Sequence, residues 1–115
     1  MKAGTKLTDA LMIGIADRFR ALGEPARLRI LDALRRGELS VGELVAETGL
    51  NQANLSKHLQ VLHGLGFVSR RRNGLFVHYR LTNQDVFRLC DIMCGRFVPP
   101  VRADRRPRTA GRRLS

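Results

Sequence analysis

A mainly α-helical domain carrying one small β-hairpin is what these 115 residues predict, on three observations. Apolar residues recur at three- and four-residue spacing through five segments, each bounded by capping or breaking residues. On both sides of Asn73-Gly74, the strongest two-residue hairpin signal, the runs become β-prone. Between Ser40 and Gly66 two short amphipathic segments meet at a tight glycine turn, which is the outline of a helix-turn-helix.

Thr8 caps a first helix running to about Leu22, with Leu11, Ile15, Phe19 and Leu22 on one stripe. Gly23-Glu24-Pro25 breaks it, and Pro25 suits the first position of a second helix. That helix is expected to reach Arg36, with Leu28, Ile30, Leu31 and Leu34 inward and Gly37 closing it. Ser40 stands three residues before Glu43, the capping-box spacing, and Leu39 with Leu44 can form a hydrophobic staple. Gly49 can take the left-handed conformation of a C-cap, and Asn51 then caps a helix to about Gly64.

Leu55, Leu59 and Leu62 share one side of this fourth helix. At roughly 100° per residue, Ala53, Ser56, Lys57 and Gln60 fall opposite, with Gln52 and Asn54 on the flanks. In the hairpin, Val77, Tyr79 and Leu81 alternate with Phe76, His78 and Arg80, while Arg70, Arg71 and Arg72 occupy the outgoing strand. Thr82, three residues before Asp85, has the spacing of a second capping box opening a last helix to Gly95 or a little beyond. Pro99-Pro100 ends regular structure. The expected division is a flexible N-terminus over 1–7, a folded domain over 8–97 and a basic, disordered tail over 98–115.

The net charge of +11 implies a polyanionic partner. Residues 98–115 hold six Arg against one Asp, which leaves about +6 on the rest, so the basic signal does not depend on the tail. The fourth helix presents amides, a hydroxyl and a cation, groups that meet base edges and phosphates in a major groove. Three adjacent arginines on a neighbouring hairpin suit a wing along the sugar-phosphate backbone or in a minor groove. Alone, each has a plainer reading: a solvated helix with a Leu stripe, and an edge strand guarded by charge. Together they favour double-stranded DNA.

No run of about twenty apolar residues exists, so no membrane span is expected. Asp9 and Asp17 interrupt the apolar N-terminal patch and make it a poor signal peptide, which points to the cytoplasm. An enzyme is not expected. Cys90 and Cys94 form CxxxC rather than a CxxC redox motif, and no Ser/His/Asp grouping, phosphate loop or catalytic carboxylate pair is evident.

Glu24-Pro25-Ala26-Arg27-Leu28-Arg29-Ile30-Leu31 resembles the second-helix signature of the ArsR/SmtB bacterial repressors. Asn54-Leu55-Ser56-Lys57-His58-Leu59-Gln60-Val61-Leu62, followed by Gly66-Phe67-Val68, is similar to that family's recognition helix and exit. The resemblance covers roughly residues 8–97. It implies a winged helix-turn-helix homodimer joined through its first and last helices, a repressor that releases its operator when an inducer binds. It also implies that Ser56, Lys57 and His58 meet DNA. For His58 a phosphate hydrogen bond stands beside a plain helix-packing role. A two-fold dimer requires a near-palindromic operator with half-sites about 34 Å apart. The alternative is a non-inducible or nonspecific architectural DNA-binding protein.

Two departures from the family pattern concern sensing. Where many members carry a segment resembling ELCVCDL, this chain has Glu38-Leu39-Ser40-Val41-Gly42-Glu43-Leu44, without either cysteine. The last helix has no His for an Asp/His zinc set. Cys90 and Cys94 remain, on one helical face with Cβ atoms about 5–6 Å apart. Three readings stay open: packing as small hydrophobes, a thiol switch, or a site for a soft thiophilic ion. Arsenite, cadmium or copper would need sulfurs from both subunits or Met93.

Overall fold

The computed structural model describes residues 6–99, so most of the expectations for 1–7 and 98–115 lie outside the described residues. The chain runs α1 (Asp9–Leu22), α2 (Pro25–Ala33), β1 (Leu39–Ser40), α3 (Val41–Thr48), α4 (Gln52–Gly64), β2 (Val68–Asn73), β3 (Phe76–Leu81) and α5 (Asp85–Arg96). The strands form one antiparallel sheet in the order β1-β3-β2. This is a winged helix-turn-helix, as expected, with an additional short strand.

Local chemistry sets most helix ends. Thr8 Oγ1 accepts from Leu11 N, and Asn51 Oδ1 accepts from Asn54 N at 2.8 Å. The capping box is complete: Glu43 N donates to Ser40 Oγ and Ser40 N donates to Glu43 Oε1. Pro25 occupies the start of α2, where its missing N–H costs no hydrogen bond. Between α3 and α4, Gly49 takes φ +74. Buried Thr48 fixes the same turn, its hydroxyl donating to Leu44 O and accepting from Leu50 N. Ile30, Leu31, Leu34, Leu44, Leu55 and Leu59 are fully buried at the centre of the core. Truncating such a side chain to Ala costs about 2–5 kcal/mol.

Four expectations need correction. The second helix stops at Ala33 rather than Arg36, because Leu34 N is shared between Ile30 O and Leu31 O and the chain tightens into turns toward β1. Leu28 is exposed; at 100° per residue it lies about 200° from Ala26, beyond the arc that Ala26, Ile30, Leu34 and Leu31 bury. Thr82 does not cap α5, since its N–H donates to Phe67 O and prolongs the sheet edge. The helix begins at Asp85, whose N–H is met by Asn83 Oδ1. Finally, Asn73 pairs with Phe76, so the two-residue loop is Gly74-Leu75. Gly74 has φ +64 and Leu75 does not have positive φ, the sign pattern of a type II′ turn with glycine first.

Candidate nucleic-acid interface

On α4 the buried Leu55, Leu59 and Leu62 anchor one side, which turns Gln52, Ala53, Asn54, Ser56, Lys57 and Gln60 to solvent. The positions expected to read DNA are therefore presented together on one surface. His58 sits apart from them, half-buried at the edge of the stripe. Arg27 Nε donates to its Nδ1 at 3.1 Å, and Arg27 Nη1 donates to Ala21 O at 3.3 Å. Arg27 thus ties the end of α1 to the middle of α4. Burial, and then the Arg27 cation, push the His58 pKa below its ordinary value, with Glu24 opposing. The imidazole is then neutral with Nδ1 as acceptor, and its remaining N–H is on Nε2.

The wing arginines divide by strand period. Arg70 pairs across the ladder with Tyr79 and Arg72 with Val77, so both share the face that continues into the core. Arg71 pairs with His78 on the opposite face. There its Nε and Nη2 each donate to a Glu38 oxygen at 2.8 Å, a bidentate ion pair. The Arg71 hydrogen bond holds the Glu38 carboxyl below its ordinary range, and Glu38 raises Arg71 in turn. Glu38 had no signal in the helical pattern, but the period of two already forbids three adjacent arginines from sharing a face.

A groove of about 740 Å³ runs between α4 and the wing, bordered by Gln52, Ser56, Arg70, Arg72 and, at the tip, Leu75 and Phe76; Arg71 also borders it, with its Nε and Nη2 held by Glu38. Its chemistry is amide, hydroxyl and guanidinium, without a lining carboxylate. Such a surface accepts a phosphodiester backbone and offers donors and acceptors to base edges.

Cys90 and Cys94 lie on α5, away from this groove; Cys90 is half-buried and Cys94 exposed, and neither forms a disulfide. Burial, then neighbouring Cys94, pushes the Cys90 thiol up. Among the described residues no three His, Cys, Asp or Glu gather within one chain as a metal site, and no helix is long and apolar enough to cross a membrane.

Residues 24–70 match the pattern of the bacterial regulatory protein, arsR family. The chain is 37% identical over 86 residues to the biofilm growth-associated repressor of Agrobacterium fabrum, covering 75% of this chain and 74% of that one. It is 43% identical over 61 residues to a protein of Streptomyces lividans named as a probable mercury resistance operon repressor, covering 53% and 49%. Among solved structures it is similar to a homodimeric winged helix-turn-helix DNA-binding domain from Mycobacterium bovis, with a TM-score of 0.68, 35% identity, and 83% and 88% of the two chains covered. The exposed α4 face, the arginine-bearing wing and these likenesses agree: the chain belongs to the arsR family of DNA-binding transcriptional regulators.

Proposed function

We propose that this protein is a homodimeric repressor of a near-palindromic operator, with α4 in the major groove and the wing on the adjoining backbone and minor groove. The observation that carries it is the groove in which Gln52 and Ser56 of α4 stand with Arg70 and Arg72 of the wing. Gln52, Asn54, Ser56 and Gln60 supply the base-edge chemistry, and Lys57, Arg70 and Arg72 the phosphate contacts. His58 contributes its Nε2–H to a phosphate while Arg27 holds the ring.

The second copy covers α1 and α5. Ile13 on α1 is 63% exposed and Phe97 at the end of α5 is 72% exposed. Between the two helices lies a largely apolar cleft of about 590 Å³ lined by Ile15, Phe19, Leu22, Phe67, Leu89 and Ile92. The named repressors among the relatives support the same reading. Quantitative competition footprinting on the chain's own upstream DNA tests it: a preference of about 10³ or more over scrambled DNA is expected, and a ratio near one would sink it.

Release is assigned to the α5 thiols. Cys90 and Cys94 follow one another by a helical turn beside exposed Met93 and Phe97, on a side of α5 outside the cleft it forms with α1. Two copies bring four thiols to one axis, enough for arsenite, cadmium or copper, and the Streptomyces relative named for mercury resistance makes a soft ion the leading signal over an oxidant. Because the Cys90 thiol is pushed up, ion binding must displace its proton and strengthens as pH rises. Fluorescence anisotropy with each ion and with peroxide, repeated on the Cys90→Ser/Cys94→Ser variant, decides. Release that survives in the variant moves sensing elsewhere.

A further inference from the structure

The wing ends in apolar side chains that neither the core nor the proposed dimer face uses. Leu75 is 94% exposed and Phe76 64% exposed, and only Gly74 separates them from Arg70, Arg71, Arg72 and Asn73. The turn places Leu75 at its second central position, beyond the last ladder pair, Asn73 with Phe76. A hairpin tip meant only for water would carry Asn, Asp, Ser or Lys there. Leu75 and Phe76 also border the same groove as Gln52 and Ser56, so the apolar tip is continuous with the surface assigned to bases and phosphates.

We infer that Leu75 is a minor-groove contact and sets base preference beneath each wing. This rests on the DNA-facing reading of the wing. Deoxyribose walls and the C2–H edge of adenine offer an apolar lining, and apolar side chains recur at minor-groove protein contacts. A groove about 6 Å wide admits a single side chain at the tip of a hairpin. Narrow A·T tracts also concentrate negative potential, which draws Arg70 and Arg72 to the flanking backbone. A G·C pair places the guanine N2 amino group on the groove floor, where a leucine gives it no hydrogen bond. The wing therefore prefers A·T without accepting or donating a hydrogen bond at the tip.

The test uses the full chain on its footprinted operator. Wild-type affinity is measured with A·T, G·C or I·C pairs placed under the wings, inosine lacking the N2 amino group, and the series is repeated with Leu75→Ala. Expected is weaker wild-type binding on G·C and recovery on I·C. Leu75→Ala loses about 10-fold or more over the two wings from lost apolar burial. Its salt slope stays unchanged because no phosphate contact is lost, and it no longer distinguishes G·C from I·C. A melt of each protein confirms equal folding, which an exposed tip residue permits. Unchanged affinity and unchanged base discrimination in Leu75→Ala would overturn the inference while leaving the repressor reading intact. Failure of the wild type to prefer its operator at all would overturn both.

Discussion

Three arginines in a row offer a quantitative separation of DNA contacts from structural ones. Each phosphate neutralised contributes about 0.9 to the slope of log K against log salt. A dimer has two wings, so Arg72→Ala should lower the magnitude of the slope by about 1.8, and Arg70→Ala by the same amount. Between 50 and 200 mM salt this difference alone amounts to about 12-fold in affinity. Arg71 is expected to behave otherwise, since its Nε and Nη2 are held by Glu38 at 2.8 Å and its charge is already paired there. Removing that pair as a unit, Glu38→Gln with Arg71→Gln, changes no net charge and should leave the slope where it was. Glu38→Gln alone frees Arg71 and should steepen it. Anisotropy titrations at five or six salt concentrations measure all four variants. An unchanged slope in Arg72→Ala, or a loss in the paired variant as large as in Arg72→Ala, would refute the assignment of faces.

Other outcomes follow from single contacts. Ser40→Ala removes the side-chain half of the capping box, and should cost about 1 kcal/mol and lower Tm by about 4–8 °C in thermal melts; a shift near zero would mean the box adds nothing. His58 has a lowered folded pKa, so the unfolded chain takes up the proton first as pH falls below the ordinary 6.5. Its contribution to stability is complete above that value and lost as pH drops toward the folded one. Urea titrations from pH 8 to 5 should show this slope diminished in His58→Asn, and an identical profile would exclude His58 as its source. Ile92→Asp puts a carboxylate on the exposed apolar face of α5 and should yield monomers by analytical ultracentrifugation, with operator binding lost; a dimer that persists would place the interface elsewhere.

The helices were legible wherever their boundaries depend on residues within one turn. Thr8, Pro25, the Ser40–Glu43 pair, Gly49 and Asn51 act through neighbours three or four positions away. The same periodicity placed Leu55, Leu59 and Leu62 inside and the polar face of α4 outside. Thr82 shows the limit of that logic. Its spacing to Asp85 fits a capping box, but Phe67 O, fifteen residues upstream, supplies a ladder bond that holds it in the sheet. The Asn73-Gly74 signal likewise located the hairpin but missed its register by one residue, which the cross-strand ladder set.

What the chain encodes locally is therefore five helices, one hairpin, a strongly basic balance and a polar helix face in a family-like order. Tertiary structure alone decided that Leu39–Ser40 adds a third strand beside β3, that Arg27 occupies His58, that Glu38 is the partner of Arg71, and that Leu75 crowns the groove. The physical reason is separation along the chain. Caps and amphipathic stripes are settled by contacts within four residues, whereas these four depend on groups that only folding brings together, 31 residues apart for Arg27 and His58 and 33 for Glu38 and Arg71.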